Sequence, residues 1–322
     1  MRALIYDGQL RFGDAPDSAS PGPDQARLRI HHAGICNTDM ELMAGYMAFA
    51  GILGHEFVAT VEEGPAEWQG RRVVSEINVA CGKCDFCAAG IPSQCRDRHA
   101  IGINRYPGAF ADTLVVPTAN LHAVPDEVSD DAAVFAEPLA AALQVTEAIQ
   151  VSPRDRVVVL GAGKLGLLVA QVLKLTGADL VVPVRREKQA RLLEKWQIPA
   201  VDLASLPRQR AQVVVDCTGE ESGFATSLDL VEPRGTIVLK STYHGLPKAD
   251  LTRVAVNEIR LVGSRCGPFD AALRLLARGL VDVESMIEGR YPLEDGVNAM
   301  QHAMQKGALK ILLDINQRTP VA

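Results

Sequence analysis

The most apolar window of the chain, "RVVVLGAGKLGLLVAQVLKLTGADLVVPV", changes its period as it runs. Four apolar residues in succession predict a buried strand, a glycine turn follows, and the spacing of Leu, Val and Ala after Lys164 predicts an amphipathic helix that ends by Gly177, ahead of a second strand. Further runs of the same kind, "AQVVVDCTG", "GTIVLKST" and "EIRLVGS", predict more strands of one parallel sheet. Before this block the pattern is different: "RLRIHHAGI" reads as a strand, and "FAEPLAAAL" is an apolar run broken by one carboxylate. After it, "AALRLLARGLVDVESM" through "EDGVNAMQHAMQKGALKILLDI" is helical and then ends in a strand. "DAPDSASPGPD" is a polar, proline-containing surface loop.

The window around Gly161 is not a membrane span, because Lys164, Lys174 and the glycines interrupt it, whereas a span needs about 20 nearly uncharged residues. "MRALIYDGQL" has no apolar segment of signal-peptide length, which predicts a cytoplasmic protein. With 322 residues, 48% of them hydrophobic, two domains can each bury a core. A net charge of −6, scattered basic residues and 5% aromatics offer neither a basic stripe nor a stacking platform, so the expected partner is a small molecule, with no nucleic acid and no membrane.

The turn in the apolar window is G-x-G-x-x-G at Gly161, Gly163 and Gly166. It follows a strand and opens a helix, which is the context a dinucleotide site requires. Gly161 permits the turn, Gly163 lets backbone approach a pyrophosphate and Gly166 allows close helix packing, while the free N–H groups at the helix start, Lys164 and Leu165 included, bind the anion.

Four of the seven cysteines fall in "CGKCDFCAAGIPSQC", spaced C-x2-C-x2-C-x7-C at Cys81, Cys84, Cys87 and Cys95. Two-residue gaps suit metal coordination, because a tight turn aims two thiolates at one point. The first three also match the opening of a ferredoxin cluster motif, but Cys95 comes late and precedes Arg96 rather than proline, which favours a closed, structural zinc site. Cys36 in "HHAGICNTDMELMAGYM" and His55 in "GILGHEFVATVEEG" stand at what read as strand-to-loop exits, and Glu137 interrupts the apolar run "FAEPLAAAL". A buried carboxylate must be paired, protonated or metal-bound. Thiolate, imidazole and carboxylate together make three ligands with a fourth position open, the arrangement of catalytic zinc.

Together these motifs resemble the zinc-dependent alcohol dehydrogenases, the medium-chain dehydrogenase family, and the resemblance covers nearly the whole chain. It implies an α/β protein: a GroES-like, mainly-β catalytic domain from residues 1–140 and 269–322, with the zinc lobe at 81–95, and an inserted Rossmann domain with a doubly wound parallel sheet at 141–268. It implies zinc, two per chain, one on Cys36 of "GICNTD", His55 of "GHE" and Glu137 of "EPL", the other on the four cysteines. The "EPL" carboxylate points to the branch resembling sorbitol, threonine and glucose dehydrogenases. Glu56 resembles an outer carboxylate that tunes or transiently binds the metal.

In the same family a hydroxyl two residues past the cysteine takes the alcohol proton, which is Thr38 here, although by spacing alone Thr38 reads as a turn-capping residue. Where some members carry a proton-passing histidine this chain has Glu41, so Glu41 or a water chain does that work, and Asn37 replaces a basic cofactor contact. His31, His32 and His122 have no partner at ligand spacing and read as structural, while Cys217 and Cys266 read as packed thiols.

Roughly 20 residues past the glycine turn an NAD site places Asp or Glu on the ribose hydroxyl. Aligning the turn and Gly177 with the family it resembles puts Arg185 there, with Arg186 beside it, a pair able to clamp a phosphate, which favours NADP, with NAD as the alternative. The expected function is reversible hydride transfer between NAD(P) and a secondary alcohol, polyol or sugar-like substrate, in a homodimer or homotetramer. Rival readings are a zinc-free quinone or enone reductase and a non-catalytic redox sensor. The segment "KSTYHGLP" offers Tyr243 or His244 to a substrate pocket.

Overall fold

The computed structural model describes residues 1–240 and 248–316; Tyr243 and His244 lie outside the described residues. The chain divides into two compact units, Met1–Glu137 with Ala272–Ala322, and Pro138–Ala271, where residues 141–268 were expected as the insertion.

The first unit is mainly β. Its largest sheet is organised around the strand Gln25–Gly34, which pairs antiparallel with Glu56–Glu63, with Thr113–Pro117 and with Lys310–Asp314. Alternation along Gln25–Gly34 puts Ala26, Leu28 and Ile30 into a core with Phe57, Leu114, Val116 and Phe110, while Arg27 and Arg29 point away. The returning tail supplies Ile311 and Leu313 to the same core. Register sets the site in two places. Gly34 lies opposite Glu56, so the end of one strand meets the start of the next, and Leu312 lies opposite Gly34, which brings the tail beside both. The cysteine lobe carries a three-stranded sheet of Asn78–Val79, His99–Ile101 and Arg105–Tyr106.

The second unit holds a six-stranded parallel sheet, ordered Ala200–Val201, Asp179–Pro183, Arg156–Leu160, Ala211–Asp216, Val231–Leu239 and Arg260–Gly263. The order reverses between Arg156–Leu160 and Ala211–Asp216, and at such a switch point dinucleotides bind beyond the carboxyl ends of the strands. Valines fill the two central strands because both faces of the sheet are covered. The helix Lys164–Lys174 stops three residues short of Gly177, which takes φ +76° to turn the chain into Asp179–Pro183. Asp179 is the first residue of that strand and pairs with Arg156 at 3.1 Å.

Candidate functional site

Cys36 follows closely on the strand Gln25–Gly34 and caps the short helix Asn37–Met43, whereas His55 lies at the entry to Glu56–Glu63 rather than at a strand exit. Because those strand ends are neighbours, one ligand atom each from Cys36, His55 and Glu56 fall within 4.8 Å of one another. Glu137 is not in that set. It is the second residue of the helix Ala136–Ala148, half-buried, with its charge felt at Lys310. The structure therefore gathers the thiol, the imidazole and the Glu56 carboxylate, and leaves Glu137 on the margin of the group.

Two residues that sequence reasoning missed hold this group in place. Asp39 is fully buried; its carboxylate accepts the Cys36 N–H at 2.8 Å and the Gly54 N–H at 3.3 Å, and stands 3.4 Å from His55 Nδ1. An acid three residues after a helix cap was the available signal. The second is Lys310, 2% exposed, whose ammonium donates to Glu56 Oε2 and lies 5.5 Å over the Phe135 ring. A lysine inside the apolar run "LKILLDI" was its signal, since a buried charge needs a partner.

The electrostatics fit a cation. Burial works against charge on His55, yet the Asp39 carboxylate and Cys36 beside it outweigh burial and lift its pKa well above the ordinary value. Burial likewise opposes charge on Lys310, and Glu56, Cys36 and Glu137 more than offset it. Protons are held tightly where negative donors converge, and thiolate, imidazole and carboxylate are the donor types zinc takes.

Thr38 and Glu41 share one face of the helix Asn37–Met43, at i and i+3, and both are half-buried. Thr38 Oγ1 is 3.6 Å from Cys36 Sγ, which puts the hydroxyl at the edge of the donor group. The Glu41 carboxylate has no hydrogen-bond partner among the described residues.

The lobe brings Cys81, Cys84, Cys87 and Cys95 together, with all four sulfurs within 4.8 Å of one another. Cys84 Sγ is 3.5 Å from Cys87 Sγ and 3.9 Å from Cys95 Sγ, too far for disulfides, and all four are free thiols. The backbone N–H groups of Arg96 and Cys87 pull Cys84 down to about 6, whereas burial and the neighbouring sulfurs push Cys87 up to about 12. Several thiolates at one point repel one another unless a cation balances them, which is the chemistry of a four-thiolate zinc site.

In the second unit Gly161 takes φ +93°, and a side chain on it would lie 2.6 Å from the Cys217 carbonyl. A side chain on Gly166 would strike the Gly161 carbonyl, so the helix can lie against the turn only with glycine there. Gly163 instead faces open space and caps the helix Lys164–Lys174 with no side chain of its own. Lys164 and Leu165 open that helix, and the N–H groups of a first helical turn are where an anion binds. Beneath the turn, burial pushes the Cys217 thiol up to about 12 and keeps it neutral. Arg185 and Arg186 lie exposed between the strand Asp179–Pro183 and the helix Glu187–Lys195, with no acidic partner among the described residues. Glu187 opens that helix and pairs with Arg191.

Residues 22–126 match the family described as the alcohol dehydrogenase GroES-like domain, and residues 165–278 match the zinc-binding dehydrogenases. The chain is 30% identical to the L-galactonate-5-dehydrogenase of Escherichia coli over 84% of this chain and 86% of that protein. It is 29% identical to the sorbitol dehydrogenase of Halalkalibacterium halodurans over 97% and 99% of the two chains. Among solved structures, a zinc-binding dehydrogenase from Sinorhizobium meliloti bound to NADP superposes with a TM-score of 0.89 at 26% identity, covering 98% of this chain and 99% of that one. No described helix is long and apolar enough to cross a membrane.

Proposed function

This chain belongs to the zinc-dependent medium-chain alcohol dehydrogenase family, and on that premise we propose how its residues divide the work. It is an NAD(P)-dependent oxidoreductase acting on an alcohol. We infer the substrate to be a secondary alcohol, a polyol or a sugar-like molecule, in keeping with relatives that are named for sorbitol and galactonate.

The observation that carries this reading is the meeting of Cys36, His55 and Glu56 donors in front of the buried Asp39. Cys36 and His55 would hold a catalytic zinc, with Glu137 or Glu56 as the third donor, and Cys81, Cys84, Cys87 and Cys95 a structural one, two per chain. Zinc bound at the first site supplies Lewis acidity to the substrate oxygen. Asp39 orients His55 and stabilises it as a ligand. Thr38 Oγ1 takes the proton that the substrate hydroxyl gives up, and Glu41, on the same helix face, relays it outward. In the second unit, the Gly161–Gly166 turn and the Lys164 and Leu165 N–H groups hold the cofactor pyrophosphate. Arg185 and Arg186 clamp a 2′-phosphate, so NADP is preferred over NAD; their exposure and lack of carboxylate partners among the described residues support this. The first unit is the catalytic domain and the second the nucleotide-binding domain. The edge strand Arg260–Gly263 exposes Leu261, and Leu251 and Val256 are also exposed, which supports a homodimer or homotetramer.

The test is a dehydrogenase screen of alcohols and polyols with both cofactors, on the parent and on Arg185→Asp, with bound zinc counted. About two zinc per chain, polyol turnover and a kcat/KM ratio that moves toward NAD in Arg185→Asp are expected. A zinc-free protein would return the reading to a quinone or enone reductase, and an unmoved ratio would overturn the role of Arg185.

A further inference from the structure

Two of the three histidines read as structural in the sequence, His31 and His32, meet carboxylates of one short helix. Buried and outward residues alternate along Gln25–Gly34 as far as Ile30, and there the pairing with Glu56–Glu63 slips. Ile30 lies opposite Ala59 and His32 opposite Val58, so His31 is the extra residue of a β-bulge. A bulge re-aims side chains, and here both imidazoles, successive in the chain, end half-buried beside the first turn of the helix Asp130–Ala133.

Each imidazole joins two partners from different segments. His31 Nδ1 is 2.8 Å from Asp130 Oδ2, and its Nε2 is 2.9 Å from Thr60 Oγ1. His32 Nδ1 is 3.1 Å from Asp131 Oδ1 and its Nε2 is 3.4 Å from Asp314 Oδ1, ion-pair distances rather than aligned hydrogen bonds. Arg72 and Arg290 complete the set from two further strands, donating to Asp130 and Asp131 respectively. A helix of four residues does not persist by itself, so these contacts decide where it sits.

Beyond that helix the chain runs on to the metal centre. Val134 and Phe135 are fully buried; a side chain on Gly34 would come within 2.8 Å of Val134, so the junction lies close against the strand, and Phe135 lies under the Lys310 ammonium. Glu137 is two residues farther on.

We propose that His31 and His32 are positioning residues, pinning the helix Asp130–Ala133 to the sheet and thereby holding Glu137 in reach of the metal ligands. The proposal rests on the reading of Cys36 and His55 as zinc ligands with Glu137 in the third-ligand region. Histidine suits the task because its two ring nitrogens grip opposite sides of a flat, rigid ring, which a flexible lysine does not.

The test compares His31→Leu, His32→Leu and the double variant with the zinc-loaded parent. Amide exchange at residues 130–136 is expected to rise about tenfold, with the strand Glu56–Glu63 unchanged. Affinity for the catalytic zinc, read by chelator competition, is expected to fall about ten- to a hundredfold while the four-cysteine site keeps its metal. kcat should fall with cofactor KM unmoved, and His32→Gln should recover part of each effect. Parent exchange rates in the double variant overturn the proposal, as does faster exchange with parent zinc affinity and kcat. If the leucine variants fail to fold, His31→Gln and His32→Gln serve in the same assays. Glu137→Gln separates the two readings: lost zinc affinity there, with parent affinity in the histidine variants, overturns the positioning role alone. Parent affinity in Glu137→Gln overturns the underlying reading of Glu137 and the proposal with it.

Discussion

Replacing Lys310 by Met tests whether the buried ion pair behind the metal centre holds the first unit together. The two side chains are 2% and 1% exposed, so neither charge is screened by water, and the substitution keeps chain length while stranding Glu56 beside Cys36. Removing one partner of such a pair costs about 3–5 kcal/mol, because the remaining charge stays buried without compensation. At about 2–4 °C per kcal/mol for a unit of this size, Tm should fall by roughly 10 °C. The sign with pH comes from the raised pKa of Lys310: the stabilisation is complete below the ordinary lysine pKa of about 10.4 and is lost only as pH climbs through the folded value. The contribution of Lys310 in the parent should therefore be constant across neutral pH. Adding Glu56→Gln should restore most of the stability, since removing both charges is often nearly neutral. Thermal unfolding of the parent, the two single variants and the double variant decides it. A Lys310→Met protein within about 1 kcal/mol of the parent, or a double variant no more stable than it, refutes the account.

Asp39→Asn keeps shape but removes the charge facing His55, and catalytic-zinc affinity should fall about ten- to a hundredfold in chelator competition; parent affinity would show that Asp39 serves only to cap its helix. Cys81→Ser should lower zinc content and melting temperature together, because metal binding at a four-thiolate site contributes folding energy; full occupancy with an unchanged melt would exclude a structural role. Thr38→Ala should lose turnover with zinc retained, and a fully active variant would remove the hydroxyl from the proton path.

What could be read from the sequence was what neighbours in the chain decide among themselves. Cys81 to Cys95 converge because tight turns alone aim them, and the glycine turn is set by a strand, three glycines and a helix inside one window. Cys36 and His55 were legible as ligand types, the neighbouring strand ends bring them together, and Glu56, expected as an outer carboxylate that tunes or transiently binds the metal, lies with them. The partners behind them were out of reach for a geometric reason. Lys310 meets Glu56 from 254 residues away, and His31 meets Asp130 from 99, across pairings that only sheet register selects. Side chains alternate with period two, so a one-residue slip of Lys310–Asp314 against Gln25–Gly34 would turn Lys310 away from Glu56 and leave the carboxylate buried alone. The same rule explains the histidines: strict alternation sends only one of two adjacent residues to a given face, and the bulge at His31 is the exception that lets both serve one helix. A sequence pattern reports which residue types a site draws on, but the outer partners that fix those residues depend on strand register, and register is settled by the packing of the whole sheet.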